Sequence, residues 1–385
     1  MRPGKLIYPF VLAAFTVLWG CARQVPVRRV AVAFYNCENF FDTIHNPAKD
    51  DEDFTPGGWY HYTQKIYEQK LHNIATVIAS IGGDDGPAIT GLAEVENSRV
   101  LNDLVRQPEI AGKNYQYIWY DGPDERGINV ALLYNPKYFQ VLGSEPLHVD
   151  LSRIAVIDSG GKTSTRDVLH VYGILAGDTI HLFINHWPSR TGGDSATRSK
   201  RVIAANVDKD AIGKLIQQNP ATKIILMGDF NDNPTDSSIA GILGARADSS
   251  ETEITGLYNP FFEIFKDGAG TEVYGHSWNL FDQVMVSGAL LHNSNHQLHY
   301  DSAGIYKPDF LVDHYKGREG EPYRSWLGNY WLNGYSDHFP VILYRSLRPY
   351  CLLPKVINSS TVMLNIPAYF PTISRSNCLN TSGLK

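Results

Sequence analysis

Short runs spread along this chain hold the acids, amides and imidazoles that phosphate-ester chemistry uses. Phe34-Tyr35-Asn36-Cys37-Glu38 carries Asn36 and Glu38, Gly91-Leu92-Ala93-Glu94 carries Glu94, and Ile184-Asn185-His186-Trp187-Pro188 carries His186. Asp229 and Asn231 stand in Gly228-Asp229-Phe230-Asn231-Asp232, Asp282 in Phe281-Asp282-Gln283-Val284, and Asp337 and His338 in Ser336-Asp337-His338-Phe339-Pro340. Oxygen donors of this kind suit a hard cation such as Mg²⁺ or Mn²⁺, which binds through one or two carboxylates and keeps waters to exchange for phosphate. Together the runs point to metal-dependent hydrolysis of a phosphoester.

Each residue has a role in such a reaction. Glu94, supported by Glu38, is the candidate metal pair. Asp229 would orient or deprotonate the attacking water, and Asn231 would hold that water or a phosphate oxygen. His338 can donate to phosphate as an imidazolium if a carboxylate fixes its ring, and Asp282 is the candidate partner. Asp337 would face the metal or the water, and His186 would donate from across the phosphate. Taken singly, every one of these has a plainer explanation: a lone Glu after a strand is more often a surface residue, Asp/Asn/Pro clusters are usually turns, and a His beside Trp187 usually packs. The weight lies in the combination.

The elements that must position them emerge from apolar periodicity. Val30 to Tyr35, Ala88 to Ala93, Tyr115 to Tyr120, Asn129 to Tyr134, Val168 to Leu175, Ile180 to Asn185, Lys223 to Met227, Val284 to Ser287 and Val341 to Tyr344 read as strands. Tyr62 to Ile81, Arg99 to Gln107 and Thr197 to Gln217 read as helices, the first stopped by Gly82-Gly83. Asn46 to Gly58 reads as a solvated acidic loop. The candidate site residues fall at strand ends, so a layered α/β domain with its site in loops above the sheets is expected.

Composition sets the class. The chain is 43% hydrophobic and 12% aromatic, ample for a large core. Its formal net charge is −6 with no dense Lys/Arg stripe, which disfavours tight duplex binding but not a nuclease with a local cationic cleft. Arg2, Lys5 and the apolar run Leu6 to Val17 follow the secretory pattern, and Leu18-Trp19-Gly20-Cys21 resembles a lipobox. Residues 1–21 are therefore expected to form a signal peptide ending at a lipid-modified Cys21, with the protein exported to the bacterial periplasm or outer membrane. Three cysteines remain after Cys21. That odd number argues against a disulfide framework, although Cys351 and Cys378 could pair, and Cys37 reads as a small buried hydrophobe. Residues 349–385 lack Asp and Glu and sustained periodicity, and are assigned no chemistry.

The order and spacing of the runs, Asn-x-Glu, strand-Glu, Asn-His-x-Pro, Gly-Asp-Phe-Asn, Asp before a strand and Ser-Asp-His, resemble the endonuclease/exonuclease/phosphatase family over residues 28 to 346. The resemblance implies a four-layer α/β sandwich with two central mixed β-sheets flanked by helices. It implies a metal near Glu94 with Asn36, Glu38 and Asp337 close by, Asp229 and Asn231 around the nucleophilic water, His186 and His338 on the scissile phosphate, and Asp282 paired with His338. Arg126-Gly127-Ile128-Asn129 and Trp187-Pro188-Ser189-Arg190 look like a bacterial, exported branch, which makes Arg126, Arg166 and Arg190 candidate phosphate contacts. Surface ion-pair roles compete for each arginine. Asn129 stands where some relatives have Asp, so carboxylate support for His186 must come from elsewhere.

The leading expectation is a Mg²⁺- or Mn²⁺-dependent, nuclease-like phosphodiesterase. The alternatives are a phosphomonoesterase or a phospholipid or sugar-phosphate hydrolase and, from another class, an inert lipid-anchored binding protein. The expected partners are the phosphoester substrate, nucleic acid among the possibilities, and a membrane reached through the lipid on Cys21. No protein partner is expected and the chain is read as a monomer. Loops Asn46 to Tyr62, Leu147 to Arg166 and Lys307 to Asn333 would choose the substrate.

Overall fold

A computed structural model describes residues 28–155, 165–292 and 298–347. Cys21, the signal-peptide segment, Cys351, Cys378 and the extension 349–385 lie outside the described residues. Among the described residues no helix is long and apolar enough to cross a membrane.

Alternation along the first strand, Arg28–Phe40, dictates the layering. Val30, Val32 and Phe34 point to one side, Ala31, Ala33, Tyr35 and Cys37 to the other, and both sides are buried. A strand covered on both faces needs a sheet on one side and helices on the other. It lies inside a six-stranded mixed sheet whose order is Leu298–Ile305, Val341–Leu347, Arg28–Phe40, Ile89–Val95, Asn129–Tyr134, Gln116–Trp119. The second six-stranded sheet runs Phe139–Leu147, Val168–Leu175, Asp178–His186, Ile224–Asp229, Asp282–Ser287, Leu257–Tyr258.

The sheets pack face to face through Val32, Phe34, Ile89 and Leu132 against Leu182, Ile184, Met227 and Val284. Gly91 marks where they come closest: a Cβ there would lie 2.9 Å from the Met227 sulfur and 3.0 Å from the Phe34 ring. Outside the first sheet lie the helices Gln64–Ser80 and Ser98–Val105, capped by Thr63 and Asn97, whose side chains accept from backbone N–H groups of the first turn. Outside the second lies Asp194–Gln218, packed on Phe183, Leu226 and Met285. The result is the expected four-layer sandwich with two central mixed sheets.

The expected strands and helices are present with ends shifted by a few residues. Three differences bear on the site. The first strand continues through Asn36, Cys37 and Glu38, where a bulge against Ile89–Val95 puts Glu38 and Asn39 at φ 49° and 55°. The acidic loop after Asn46 is largely exposed, as expected, but it is anchored at Asp51, which is buried and accepts from the Asn46 N–H and the His45 ring. The strands Phe139–Leu147 and Leu298–Ile305, which mix polar residues and a proline or glycine into the pattern, carry too little periodicity to be read from sequence.

Candidate active site

Strand ends from both sheets converge on one cleft. Asp229 ends its strand directly opposite both His186 and Asp282 in register, so the second sheet alone assembles these three. The first sheet supplies Asn36, Glu38 and Glu94 from adjacent parallel strands, and Asp337 and His338 from the turn before Val341–Leu347. Glu94 and Asn231 hold positive φ of 60° and 50°, departures from strand geometry that aim their side chains.

A hydrogen-bonded frame joins the two sheets. Asn36 Nδ2 donates to Asp229 Oδ2 at 3.0 Å, and Asn36 Oδ1 accepts from the Glu38 N–H at 2.9 Å. Asp229 Oδ1 accepts from the Asn231 N–H at 3.0 Å. His338 Nδ1 meets Asp282 Oδ2 at 2.6 Å, and the His338 backbone N–H donates to Ser336 Oγ, which in turn donates to the Asn36 carbonyl. The free nitrogen His338 Nε2 lies 4.0 Å from both Asp229 Oδ2 and Asp337 Oδ1. From the other side His186 Nε2 reaches to 3.6 Å from Asp229 Oδ2 and 3.9 Å from Glu94 Oε1.

The two imidazoles carry opposite protonation. Burial alone would depress His338, but Asp282, by charge and hydrogen bond, with Asp229 and Asp337, holds it well above the ordinary imidazole range, so it is a cation. His186 is held well below that range by burial and by the positive charges of Arg166, Arg126 and His338. Its Nδ1 is buried without a partner. An orphaned lone pair costs less than an orphaned N–H, which assigns the proton of neutral His186 to Nε2, facing the cleft. Asp229 is pushed up to about 7, mainly by burial, with Asp282 and Glu272 adding and His338 opposing. Burial lifts the Cys37 thiol to about 12, which rules it out as a nucleophile at neutral pH.

The metal-holding set is narrower than the sequence suggests. Glu38 turns away from the cleft, its carboxylate accepting from the N–H groups of Ser325 and Trp326 at 2.6 and 3.1 Å. Both ends of the Asn36 amide are taken. Glu94 spends Oε2 on the Asn39 N–H and leaves Oε1 open, while the Asp337 carboxylate, 33% exposed, is also open. Two hard oxygen donors beside a cleft fit Mg²⁺ or Mn²⁺. Asp229, Asp282 and His338 also bring donor atoms within 4.8 Å of one another, but there the Asp282 oxygen and His338 Nδ1 are already bonded to each other.

The arginines separate likewise. Arg166 is buried, donating to the carbonyls of His186 and Trp187 at 3.2 and 2.7 Å and to Asp124. Arg190 donates to the Asn231 carbonyl and to Asp232 and Asp236, bracing the Asp229–Asn231 turn. Both are committed to backbone and carboxylate partners. Arg126 is more open, 42% exposed and 3.9 Å from Asp124. Asn129 donates to the Glu96 and Gly127 carbonyls and leaves His186 alone.

Two residues that sequence reading passed over, Glu272 and Lys70, belong to this region, as does Arg324 of the Lys307 to Asn333 loop. Glu272, in the hairpin Glu272–Tyr274/Ser277–Asn279, has a buried unpartnered Oε2 and interacts with the charges of His338, Asp337 and Asp282. Fully buried Lys70 donates to Ser325 Oγ at 2.5 Å and to the Tyr335 carbonyl at 3.1 Å. A signal for Lys70 existed, since it interrupts the four-residue stripe Ile66, Lys70, Ile74, Ile78. Glu272 stands in no recognisable pattern, and Arg324 is marked in the sequence only as one of the charges among the aromatics of the Lys307 to Asn333 loop. Around the cleft, Phe41, Phe54, Tyr60, Trp326 and Trp331 form a continuous aromatic chain joining the 46–62 loop to the 307–333 loop, with successive ring centroids 4.0 to 5.0 Å apart. The second loop also lines an open hollow of about 960 Å³ with Phe310, Tyr315, Tyr323, Tyr330 and Trp331.

Behind the His186 strand, buried Asp208 accepts from Asn185 Nδ2 at 3.4 Å and Trp187 Nε1 at 3.3 Å, and burial lifts it to about 8 despite those bonds. The folded state therefore keeps a proton that the unfolded chain releases near pH 4. Its contribution to stability is present below that pH and is lost as pH rises towards 8. Asp208→Asn, which mimics the protonated acid, should flatten this dependence. Melting midpoints at pH 5 and pH 8 test it, and an undiminished drop in the variant would refute the assignment.

No curated protein matches the sequence significantly. Among solved structures, TDP2 from C. elegans superimposes with a TM-score of 0.50 at 14% identity, covering 84% of this chain and 76% of that one. Humanized D. rerio TDP2 carrying 14 mutations gives a TM-score of 0.50 at 14% identity over 83% of this chain and 99% of that one. These likenesses concern the fold. The family model described as "Endonuclease/Exonuclease/phosphatase family" matches residues 31–346, which span both sheets and every residue of the cleft. With that match laid over the convergence just described, the chain belongs to the endonuclease/exonuclease/phosphatase family.

Proposed function

We propose that this chain is a divalent-metal-dependent phosphoester hydrolase, with a phosphodiester as the leading substrate class. Family membership supports the reaction class. The observation that carries the reading is the placement of Asp229 between a cationic His338 and a neutral His186, with open Glu94 and Asp337 oxygens beside it.

Glu94 and Asp337 would hold the metal, which when bound supplies positive charge to a phosphoryl oxygen. Asp229 takes the proton of the attacking water; its Oδ2, aligned by the Asn36 amide, faces both histidines. Asn231 Nδ2 is spent on the Trp187 carbonyl, so the amide oxygen is what remains to orient that water. His338 Nε2–H and His186 Nε2–H donate to the phosphoryl oxygens as negative charge grows on them. Asp282 keeps the His338 ring charged and aligned, while Asn36 and Arg166 fix the strand ends.

A second reading, a monoesterase or a sugar-phosphate or phospholipid-headgroup hydrolase, is favoured by the aromatic hollow in the 307–333 loop and the lack of a basic stripe. The deciding assay compares bis-p-nitrophenyl phosphate, p-nitrophenyl phosphate and DNA with Mg²⁺, Mn²⁺ or a chelator. Diester or DNA cleavage that chelation stops supports the first reading and monoester turnover alone the second. No metal-stimulated turnover on any of them, with ligand binding retained, would sink the hydrolase assignment in favour of an inert binding protein. Export and anchoring through Cys21 belong to the same proposal, tested by the mass of the mature N-terminus.

A further inference from the structure

The cleft is rich in carboxylates. Glu94, Asp229 and Asp337 line it, Glu272 and Asp282 lie behind His338, and Glu38 sits just beyond, so an incoming phosphate would meet few opposing charges, and two of the three arginines expected to help are committed elsewhere. A fourth arginine is differently placed. Arg324 is partly buried, its Nε is enclosed without a hydrogen-bond partner, and among the described residues no carboxylate oxygen lies within 4.0 Å of its guanidinium. Its charge nevertheless acts on both Glu38 and Glu272, which flank the His338–Asp337 turn. A guanidinium close enough to influence two acids, yet paired with neither, has its fork of N–H donors in hand for a ligand.

Its backbone is fixed with unusual care. Tyr323 donates its N–H to the Leu311 carbonyl at 2.8 Å and its carbonyl accepts from the Tyr335 N–H at 2.6 Å. The next two N–H groups, of Ser325 and Trp326, are the pair held by Glu38, and Lys70 holds the Ser325 hydroxyl from below. Glu38 and Lys70 thus act as positioning residues: they tether the segment that carries Arg324 to the floor of the cleft. This also gives the buried Lys70 and Glu38, which meet through Ser325, a purpose that direct metal binding by Glu38 does not.

We propose that Arg324 grips the non-bridging oxygens of the substrate's phosphoryl group. The inference rests on the hydrolase reading for the identity of the anion. Planar, forked guanidinium donors match two phosphate oxygens at once, and here the terminal Nη groups, which unlike the covered Nε are not shut off from solvent, would supply them.

The test uses inorganic phosphate as the probe. Binding to the Arg324→Gln, Arg324→Lys and wild-type proteins is measured by calorimetry in Mg²⁺ buffer, alongside KM and kcat on whichever p-nitrophenyl ester the wild type cleaves. Arg324→Gln should weaken phosphate binding at least tenfold and raise KM more than it lowers kcat. Arg324→Lys, keeping the charge without the fork, should fall between. Unchanged phosphate affinity and KM in Arg324→Gln overturn the proposal. If that variant does not fold, Arg324→Lys with wild-type affinity overturns it equally. Wild-type phosphate binding that needs Arg324, without turnover of any ester, would keep this inference and remove the hydrolase reading; a wild type that neither binds phosphate nor turns over removes both.

Discussion

Asp229→Asn should lower kcat/KM by about a thousandfold, within the 10²–10⁴ range of a lost general base, or about 4 kcal/mol of transition-state stabilisation. The side chain is buried, aligned by the Asn231 N–H and the Asn36 amide, and faces both imidazoles. An amide of the same shape can still accept from Asn231 but cannot take a proton from water. Its NH₂ would meet the Asn36 amide donor, so a modest fall in melting temperature is expected. Steady-state kinetics with a parallel melting curve separate the two effects. A loss below tenfold in a folded variant would remove Asp229 from the role of base.

His338→Gln should cost about 10²–10³ in kcat, the usual effect of losing one preorganised donor to a developing oxyanion. Asp282 reaches the substrate only through the imidazole, bonded at 2.6 Å with its other oxygen buried and unpartnered. Asp282→Asn should therefore act in the same direction but less strongly. The double variant should be about as slow as His338→Gln alone, because residues acting as a unit are not additive. Losses that simply multiply would show that the two side chains work independently.

Much of this site was legible in the chain because its residues lie at the ends of apolar runs. A strand that must be buried on both faces declares itself by composition, and the polar residues next to its last apolar position must emerge at the sheet's edge. Asp229, His186 and Asp282 illustrate this: once their strands pair in register, the three side chains can hardly avoid one another. The Asp282–His338 pair, proposed from residue types and family resemblance, has the contact it needs.

The direction in which each long polar side chain turns was not legible, since that depends on which distant backbone group competes for it. Glu38 looks like a metal ligand in Asn-x-Glu, yet its carboxylate is taken by N–H groups 287 and 288 residues later. Arg166 and Arg190 look like phosphate contacts until carbonyls and carboxylates from other turns claim them. Arg324 is one charge among the aromatics of its loop until the absence of such a claimant becomes visible. The layers, the strand ends and the residue types gathered above them are written in the chain, because burial and periodicity are local properties of it. Which of those residues remain free to meet a metal or a phosphate is settled only once the chain has folded, because a buried donor or acceptor binds whatever partner the fold brings within about 3 Å.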